Sequence, residues 1–334
     1  MVAGVADRTV AVIGSNCFTG SHIVDALLED PSTRVIAVSR SPEYPPLFLP
    51  YKRHRCDRVE FRQIDFVRDF GALATLLDET EPSIVINVAA LSEVALSHER
   101  PVEYFETNTT AVVRLCDRLR RAPYLEQYVH VSSAEIFGSC DEAVDEHTPF
   151  NPNTPYAVSK AAGDMYINTL IRHFGFPAAI IRSTNVYGRH QQLFKIIPRT
   201  VIYLKLGEVI ELHGGGTAMK SFIHIRDVVD GVMRAVERGA TGTYHFTEAT
   251  SDTVADVVRQ VCELTGHDFD RATRTVGERL GQDSRYWLAC DKAERELEWK
   301  PRVPFASGVR EVAEWIDARW DEIRQQPLVY QHRL

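Results

Sequence analysis

The alternation of short apolar segments with helical segments constrains the fold of this chain more than any other feature. Apolar segments typical of strands occupy residues 9–14, 34–38, 59–64, 83–88, 127–132 and 177–182. Segments with helical spacing lie between them, at residues 18–30 and at about 68–79, 101–121 and 154–174. Strands that are apolar throughout are buried on both faces, as in a parallel sheet with helices on either side. The pattern therefore predicts an α/β fold with a doubly wound parallel sheet.

The rhythm changes after about residue 190, where a helix, a strand with a glycine-rich turn, a further strand and a helix follow one another. These elements are predicted at residues 191–207, 209–216, 219–225 and from about Asp227. A strand near 244–249 has the character of a return strand to the main sheet. Since no internal repeat or low-complexity linker is present, we expect a smaller α/β lobe interleaved with the first. The division falls at 1–188 and 189–334, with the return strand near 242–249 belonging to the first part.

Length and charge limit the classes of function. A chain of 334 residues is predicted to form about two domains. Lys and Arg number 38, Asp and Glu number 46, and the net charge is −8. This balance gives little support to nucleic acid or an anionic membrane as a partner, since both need a basic face. An anionic small ligand stays compatible, because it needs only a few local cations.

The lack of a recognisable targeting signal and the spacing of the cysteines indicate a reducing compartment. No apolar run approaches the roughly 18 residues that span a bilayer, and the N-terminus lacks the pattern of a signal peptide. We therefore expect a cytoplasmic protein without a membrane partner. The six cysteines form no C-x-x-C pair and are far apart, at Cys17, Cys56, Cys116, Cys140, Cys262 and Cys290. This spacing predicts free thiols, with neither a disulfide framework nor a metal site.

The turn between the first strand and the first helix has the spacing of a dinucleotide-binding loop. Gly14 and Gly20 take the outer positions of G-x-x-G-x-x-G, and Cys17 takes the middle one. Such a turn lets a pyrophosphate approach the backbone at the N-terminus of a helix. The predicted cofactor contacts in this loop are Gly14, Asn16, Cys17, Phe18, Thr19 and Gly20. A strand–turn–helix with two chance glycines is the alternative.

The end of the second strand is predicted to contact the adenosine ribose. An acidic residue here would accept hydrogen bonds from both ribose hydroxyls and favour NAD. The strand ends instead at Ser39 and Arg40, and a guanidinium pairs well with a 2′-phosphate. The residues thus favour NADP over NAD, with an exposed loop arginine as the alternative. Asp65 and Phe66, after the third strand, are predicted to lie beside the adenine, although a surface role for Asp65 stays open.

Three residues in order along the chain form a candidate catalytic set. Tyr156 and Lys160 are spaced i and i+4, which places them on one helix face. A nearby cation would lower the pKa of the tyrosine and make it usable as a base. Ser133, at the end of the fifth strand, would hold the substrate oxygen that Tyr156 deprotonates.

Together with the glycine loop, these residues resemble those of the extended short-chain dehydrogenase/reductases that act on nucleotide sugars, the NAD-dependent epimerase/dehydratase family. Four further segments resemble motifs of that family, at residues 87–90, 101–108, 182–188 and 195–198. The resemblance covers nearly the whole chain and implies a Rossmann-type fold. It implies an NAD(P)-binding first domain and a nucleotide-sugar-binding second lobe. The contacts it implies are Ala89, Ala90 and Asn108 for the cofactor, and Asn185, Lys195, Ile197 and Pro198 for the substrate.

Within the family, two segments are most similar to nucleotide-sugar 4,6-dehydratases. Residues 133–138, Ser-Ala-Glu-Ile-Phe-Gly, resemble their T-D-E-V-Y-G motif, and residues 279–286 resemble R-P-G-H-D-x-R-Y. The likeness implies that Glu135 is a catalytic base and that Arg285 binds the substrate diphosphate. Ala134 stands where some dehydratases have an acidic Asp. Lys220 stands where many relatives have a diphosphate-binding Arg, so a bidentate contact becomes a point charge.

The resemblance implies removal of water from C5 and C6 of an NDP-hexose after transient oxidation at C4, which gives a 4-keto-6-deoxy sugar. Tyr156 would deprotonate the C4 hydroxyl, and Glu135 would take the C5 proton. A sugar 4-epimerase or a UDP-glucuronate decarboxylase of the same family is the first alternative, since both share the serine, tyrosine and lysine. A non-enzymatic nucleotide sensor is the second, although such proteins tend to lose the catalytic Tyr or Lys.

The resemblance also implies a homodimer. In relatives, the helices that correspond to 101–121 and 154–174 pair between subunits. Apolar side chains available for this pairing are Val112, Leu115, Met165 and Leu170. The alternative is that these side chains pack on the sheet of their own subunit.

Overall fold

The computed structural model of the protein describes residues 8–248, 252–277, 285 and 287–330. Its strands are β1 Arg8–Ile13, β2 Thr33–Ser39, β3 Val59–Gln63, β4 Ile84–Asn87, β5 Gln127–Val131, β6 Ala178–Ser183, β7 Asn185–Tyr187, β8 Ile210–His213, β9 Met219–Lys220, β10 Phe222–His224, β11 Gly242–Phe246, β12 Asp252–Thr253 and β13 Thr273–Val276. Its α-helices are α1 Phe18–Leu27, α2 Phe70–Thr80, α3 Val94–Glu99, α4 Pro101–Phe105, α5 Ala111–Leu119, α6 Pro155–Phe174, α7 Ile196–Leu206, α8 Ile225–Glu237, α9 Val254–Leu264, α10 Phe269–Ala272, α11 Asp291–Leu297, α12 Phe305–Ala318 and α13 Trp320–Ile323.

Seven strands form the main sheet in the order β3-β2-β1-β4-β5-β6-β11, and every pairing in it is parallel. The predicted doubly wound α/β sheet is therefore confirmed. The return strand is also present, since β11 pairs with β6, but it begins at Gly242 and ends at Phe246. Residue 249, the last of the predicted return strand, lies outside the described residues. The strand order reverses between β1 and β4, where the carboxyl ends of a doubly wound sheet form a ligand crevice.

Helices cover both faces of the main sheet because successive strand residues point to opposite sides. In β1, Val10 and Val12 pack with α1 and α8, whereas Ala11 and Ile13 pack with α2, α5 and α6. Trp299 closes the first of these layers and donates its indole N–H to the carbonyl of Asp227 at 2.8 Å. Strands that are buried on both faces explain why the sequence pattern is apolar at every position.

A smaller lobe has its own core, formed by α7, α9 and α12 with the parallel pair of β8 and β13. The predicted single strand 219–225 is two short strands instead. The first, β9, pairs with β12, and the second, β10, pairs with β7 at the end of the main domain. The chain therefore passes back and forth between the two lobes, which is the interleaved arrangement that the sequence predicts. The helix expected from Asp227 begins at Ile225, with the side chain of His224 as its cap.

The predicted helix 101–121 is interrupted. Residues Glu106–Thr110 form a wide π turn between α4 and α5, and such turns are frequent at functional sites. At this turn the carbonyl of Asn108 approaches α6 so closely that a Cβ atom on Gly163 would lie 2.8 Å from it. The close approach requires a glycine on the facing helix.

The apolar residues proposed for subunit pairing divide into two groups. Val112, Leu115 and Leu170 are fully buried in the layer on their own sheet, which corrects their assignment to a subunit interface. Met165 is 61 % exposed. The exposed apolar side chains on α4 and α6 that sequence reasoning missed are Val102, Phe105, Val158 and Phe174.

Candidate active site

The β1–α1 turn forms a cradle at the carboxyl end of the sheet. Gly14 has a φ of +94°, and a Cβ atom on it would lie 2.6 Å from the backbone nitrogen of Ala89. A Cβ atom on Gly20 would lie 2.3 Å from the carbonyl oxygen of Gly14. Both positions therefore require glycine, as the motif predicts. Phe18, Thr19 and Gly20 form the first turn of α1, whose N-terminus attracts negative charge.

Cys17 has a structural role in this turn. Its side chain is the N-cap of α1 and accepts a hydrogen bond from the Gly20 N–H at 3.2 Å. Burial raises the pKa of the thiol to about 11, so the side chain stays neutral at physiological pH. The cysteine in place of the middle glycine thus stabilises the helix start and brings no negative charge to the cradle. The residues present fit a dinucleotide pyrophosphate.

The end of β2 is tied to the same turn. The Ser39 hydroxyl accepts a hydrogen bond from the Asn16 N–H at 2.9 Å, and the Asn16 amide donates to Ser41 Oγ at 3.0 Å. Ser39 is buried, whereas Arg40 is exposed to solvent. Sequence reasoning placed both in contact with the ribose. In the structure the Ser39 hydroxyl holds the β1–α1 turn, and the Arg40 guanidinium is exposed beside it.

Asp65 and Phe66 follow β3, beside the β2 end. One carboxylate oxygen of Asp65 accepts the backbone N–H groups of Val67 and Arg68 at 2.8 and 3.0 Å, which shapes the loop. Phe66 is buried in the layer of α2. Ala89 and Ala90 follow β4 and are half-buried. The Ala89 N–H donates to the carbonyl of Ile13, which fixes this loop against the glycine turn.

The catalytic set is assembled where β5 ends and α6 begins. Ser133 caps a short 3₁₀ turn and its hydroxyl accepts the Glu135 N–H at 3.2 Å. The same side chain hydrogen-bonds Tyr156, the second residue of α6, which begins at Pro155 after the Thr154 cap. The structure therefore brings Ser133, Glu135 and Tyr156 together, as the sequence predicts.

The electrostatics of Tyr156 differ from the expectation. Burial raises the pKa of its phenol, Glu135 raises it further, and the hydrogen bond with Ser133 opposes both. Lys160 was expected to lower this pKa, but its ammonium donates to the carbonyl of Val131 at 2.8 Å. Burial lowers the pKa of Lys160 to about 8, and Asp164 partly counteracts that effect. Burial of Tyr156, which is only 7 % exposed, is the largest of these effects because the phenolate loses hydration.

Asn108 holds the catalytic helix. Its side-chain oxygen accepts the Leu91 N–H at 3.0 Å, and its amide donates to the Leu91 carbonyl and to Ser159 Oγ, each at 3.0 Å. The side chain is fully buried. It ties the loop after β4 to α6 one residue before Lys160, which makes it a positioning residue.

Tyr104 and Glu93 belong to the site, although sequence reasoning assigned them no role. The Tyr104 ring meets the Tyr156 ring edge-on, with centroids 6.3 Å apart, and its hydroxyl donates to the Glu93 carbonyl at 2.5 Å. The Glu93 carboxylate pairs with Lys195 of the smaller lobe. The family-like spacing of Pro101 and Asn108 around Tyr104 was the available signal for the tyrosine. The pair of Glu93 and Lys195 had no signal in the sequence.

Of the residues predicted to bind the substrate, Asn185 donates its side-chain amide to the Ser221 carbonyl at 3.2 Å. Lys195 immediately precedes α7 and pairs with Glu93 of the main domain. Ile197 and Pro198 are buried in α7, and Ile197 packs in the core of the smaller lobe. Of this predicted set, Asn185 and Lys195 therefore offer polar groups, while Ile197 supports the helix.

The two predicted diphosphate-binding cations lie on adjoining backbone segments. Arg285 forms a parallel bridge with Met219, the residue before Lys220. The Arg285 guanidinium lies over the Trp287 ring, 4.1 Å from its centroid, and donates to the Asp141 carbonyl at 3.4 Å. Arg279, Gly281, Asp283 and Tyr286, which belong to the same predicted motif, lie outside the described residues.

Disulfide bonds, candidate metal sites and membrane-spanning helices are absent from the part of the chain that the structure describes. All six cysteines are free. Among the described residues, no group of three His, Cys, Asp or Glu side chains could hold a metal ion. None of the helices described here is both long and apolar enough to cross a bilayer.

Comparison with known proteins gives the geometry a family context. The family model described as the NAD dependent epimerase/dehydratase family matches residues 10–246. The chain is similar to dTDP-glucose 4,6-dehydratase of Streptomyces antibioticus, with 31 % identity over 328 residues that cover 95 % of each chain.

Solved structures give the same result. The crystal structure of DesIV, a dTDP-glucose 4,6-dehydratase from Streptomyces venezuelae with NAD and TYD bound, superposes with a TM-score of 0.86 at 29 % identity. It matches over 94 % of this chain and 98 % of that one. A UDP-glucuronic acid 4-epimerase from Bacillus cereus matches with a TM-score of 0.84 at 21 % identity, over 93 % of this chain and 99 % of that one. The second likeness shows the shared fold alone.

Proposed function

Since the chain belongs to the NAD-dependent epimerase/dehydratase family, we propose that it is a nucleotide-sugar 4,6-dehydratase. It converts an NDP-hexose to the NDP-4-keto-6-deoxyhexose by C4 oxidation, loss of water from C5 and C6, and reduction at C6. The observation that carries the proposal is the juxtaposition of Glu135 with the Ser133–Tyr156 pair. An epimerase needs the serine and the tyrosine but has no use for a base at the position of Glu135. The similarity to dTDP-glucose 4,6-dehydratases supports the same choice.

The Gly14–Gly20 cradle and the N-terminus of α1 would hold the cofactor pyrophosphate. When bound, the cofactor would accept a hydride from C4 of the sugar and later return it to C6, and its oxidised nicotinamide ring would carry a positive charge. The protein supplies orientation and acid–base groups.

We further propose that the cofactor is NADP in preference to NAD. The support is the exposed Arg40 guanidinium at the end of β2, together with the absence of an acidic side chain at Ser39 and Arg40. A guanidinium would pair with a 2′-phosphate, and it gives no specific advantage to the two free hydroxyls of NAD.

Tyr156 is the base for the first step. Its phenolate takes the proton of the sugar C4 hydroxyl, and Ser133 hydrogen-bonds the same oxygen. Because burial raises the pKa of Tyr156, nearby positive charge is needed to form the phenolate. The Lys160 ammonium, which is on the same face of α6, provides one such charge.

Glu135 is the base for the elimination. The C4 ketone makes the C5 proton acidic, and the carboxylate takes it while the C6 hydroxyl leaves as water. The neighbouring Ala134 has no proton to donate and is buried among apolar side chains. Glu135 therefore both removes the C5 proton and delivers a proton to the departing hydroxyl, which a carboxyl group at half-buried depth is able to do.

The smaller lobe, mainly residues 189–334, would bind the nucleotide diphosphate, and residues 1–188 would bind the cofactor. Lys220 and Arg285 lie on paired segments and supply two cations for a diphosphate. Asn185, which donates to the Ser221 carbonyl, and Lys195, which pairs with Glu93, would contribute further polar groups. This division follows the two separate cores of the fold.

We also propose a homodimer in the cytoplasm. Val102 and Phe105 are three positions apart on α4, and Val158 and Met165 are seven apart on α6, so each pair shares one helix face. All four are substantially exposed, and the two helices are in contact. Such a patch is typical of a subunit interface. The six free thiols support a reducing compartment.

The function is tested by incubating the purified protein with NAD or NADP and a panel of dTDP-, UDP-, GDP- and CDP-hexoses. Mass spectrometry should show loss of one water from one substrate, which names the nucleotide as well. An unchanged mass with a shifted retention time would instead indicate an epimerase, and loss of carbon dioxide a decarboxylase. Tyr156→Phe should abolish conversion, whereas Tyr166→Phe on the same helix should leave it unchanged. Conversion by Tyr156→Phe at the parent rate would reject the mechanism.

A further inference from the structure

A cluster of buried polar side chains lies beside Lys160. His130 comes from β5, Asp164 from α6 and Arg182 from β6, and their exposed fractions are 0 %, 0 % and 1 %. Lys160 itself is 2 % exposed. Charged groups without hydration are costly unless they are paired, so this cluster calls for an explanation.

Two of the three N–H donors of the Lys160 ammonium contact residues of β5. One donates to the Val131 carbonyl at 2.8 Å, and His130 Nε2 lies 3.5 Å from the ammonium nitrogen. Burial and the neighbouring cations keep the pKa of His130 well below its usual range, so the ring is neutral. Since an ammonium only donates, Nε2 must be the acceptor and Nδ1 must carry the proton. Nδ1 lies 3.1 Å from the Tyr128 hydroxyl, whose oxygen can accept a hydrogen bond from that proton.

The carboxylate of Asp164 is held in a fixed orientation. Arg182 Nε donates to its Oδ2 at 2.9 Å, and Arg182 Nη1 lies 3.4 Å from His245 Nε2. The other oxygen, Oδ1, lies 3.9 Å from His130 Nε2 and has no hydrogen-bond partner among the described residues. The uncompensated half of the carboxylate therefore faces the His130–Lys160 contact.

From this geometry we propose that Asp164 and His130 are positioning residues for Lys160. The Asp164 charge keeps the buried ammonium protonated, Arg182 fixes the carboxylate, and His130 turns the third N–H towards the cleft beside Tyr156. The inference rests on the proposed function, because only there does the Lys160 charge serve a reaction.

The charges around Lys160 are few and have opposite effects. Asp164 on α6 favours the protonated amine, and burial disfavours it. The neutral rings of His130 on β5 and His245 on β11 add no charge. Arg182 on β6 is a second cation. Asp164, one helical turn away, is therefore the anion that raises the pKa of Lys160.

Direct titration of Lys160 tests the inference without any substrate. The chain has seven lysines, so NMR of protein labelled with ¹³C at the lysine ε-carbon can follow each one, and Lys160→Arg identifies the signal. The parent midpoint should lie near the pKa of about 8 that burial produces. In Asp164→Asn it should fall by about one unit or more, since an opposite charge has been removed.

Activity should follow the same titration. On the sugar that the panel identifies, the Asp164→Asn rate should fall about fivefold or more at pH 8 and less than about twofold at pH 6, with little change in KM. Asp227→Asn is the matched control, because Asp227 is also buried and accepts two backbone N–H groups. That variant should lose stability without moving the Lys160 midpoint.

Asp164→Asn leaves Arg182 buried without its partner, so the variant Asp164→Asn/Arg182→Gln is made in parallel. Its midpoint should lie between those of the parent and the single variant. A midpoint equal to the parent value, in whichever variant folds, would overturn the inference and leave Asp164 a purely structural residue. If no sugar reacts with the parent enzyme, the proposed function fails, while the NMR titration still decides the role of Asp164.

Discussion

At the scale of single residues, burial and neighbouring charges set the pKa values of the acid–base groups in this site. The Tyr156 phenol is buried beside Glu135, which opposes ionisation, and Lys160 is buried, which favours its neutral form. The two effects are coupled, because an ionised tyrosine and a charged lysine stabilise each other. Local hydrogen bonds from Ser133 and to Val131 hold both groups in place for that exchange.

Glu135→Gln should separate elimination from binding. The amide cannot take the C5 proton, so the rate of water loss should fall about 10²–10⁴-fold. Substrate affinity should change little, because the side chain keeps its shape. The measurement is product formation in deuterated water, in which the parent product carries deuterium at C5. Glu142→Gln, an exposed neighbour in sequence, is the control, and water loss at the parent rate in Glu135→Gln would contradict its role as the base.

Arg40→Asp should reverse the cofactor preference. The carboxylate would repel a 2′-phosphate and accept hydrogen bonds from free ribose hydroxyls. We expect NADP affinity to fall about 10-fold or more relative to NAD, measured by calorimetry at fixed ionic strength. Arg34→Asp, at the other end of the same strand and also exposed, should leave the ratio unchanged. A parent protein that binds NAD at least 10-fold tighter than NADP would rule out the proposed preference.

At the scale of elements, the β1–α1 turn joins local geometry to cofactor binding. Its backbone passes so close to the loop after β4 that side chains at Gly14 and Gly20 have no space. The turn is closed further by the Asn16 side chain, which donates to the chain beyond β2. Adjacent strand ends are therefore held as one rigid unit.

Gly20→Ala should weaken both folding and cofactor binding. The added methyl group would lie 2.3 Å from the Gly14 carbonyl, so the turn must shift, at a cost of about 1–3 kcal/mol. Urea unfolding and NAD titration measure the two effects. Gly71→Ala on α2 meets no atom within 4 Å and should leave cofactor affinity unchanged. Equal affinities in Gly20→Ala and Gly71→Ala would show that the close approach does not shape the cradle.

At the scale of the whole molecule, the two lobes meet across the site. The pair of Glu93 and Lys195 joins the loop after β4 to the start of α7. Both side chains are partly exposed, so the pair contributes little to stability. It nevertheless places a carboxylate of the main domain against a residue of the smaller lobe.

Met165→Glu should disrupt the proposed homodimer. A charge placed at the exposed apolar face of α4 and α6 would have to be buried against the partner subunit. Light scattering at micromolar concentration should show a dimer for the parent and a monomer for the variant. Leu206→Glu, which alters an exposed apolar side chain of the smaller lobe, should stay dimeric. A monomeric parent protein would refute the assembly.

The sequence by itself determined the sheet and its parallel direction, and it predicted the candidate catalytic set. These features depend on local patterns: apolar runs, a glycine spacing, and an i, i+4 pair on one helix. Asp164, one turn beyond Lys160, was within reach of the same spacing argument.

Other features were decided only by the tertiary structure. The buried contacts of His130, Arg182 and Asn108 join elements that are far apart in sequence, and no local pattern encodes them. The burial that raises the pKa of Tyr156 and lowers that of Lys160 likewise comes from the packing of several elements. Packing also separated Met165, which is exposed, from Leu170, which is buried on the same helix. Sequence spacing specifies which residues share one face of a helix or strand. The burial and contacts of those residues depend on which other elements pack against that face.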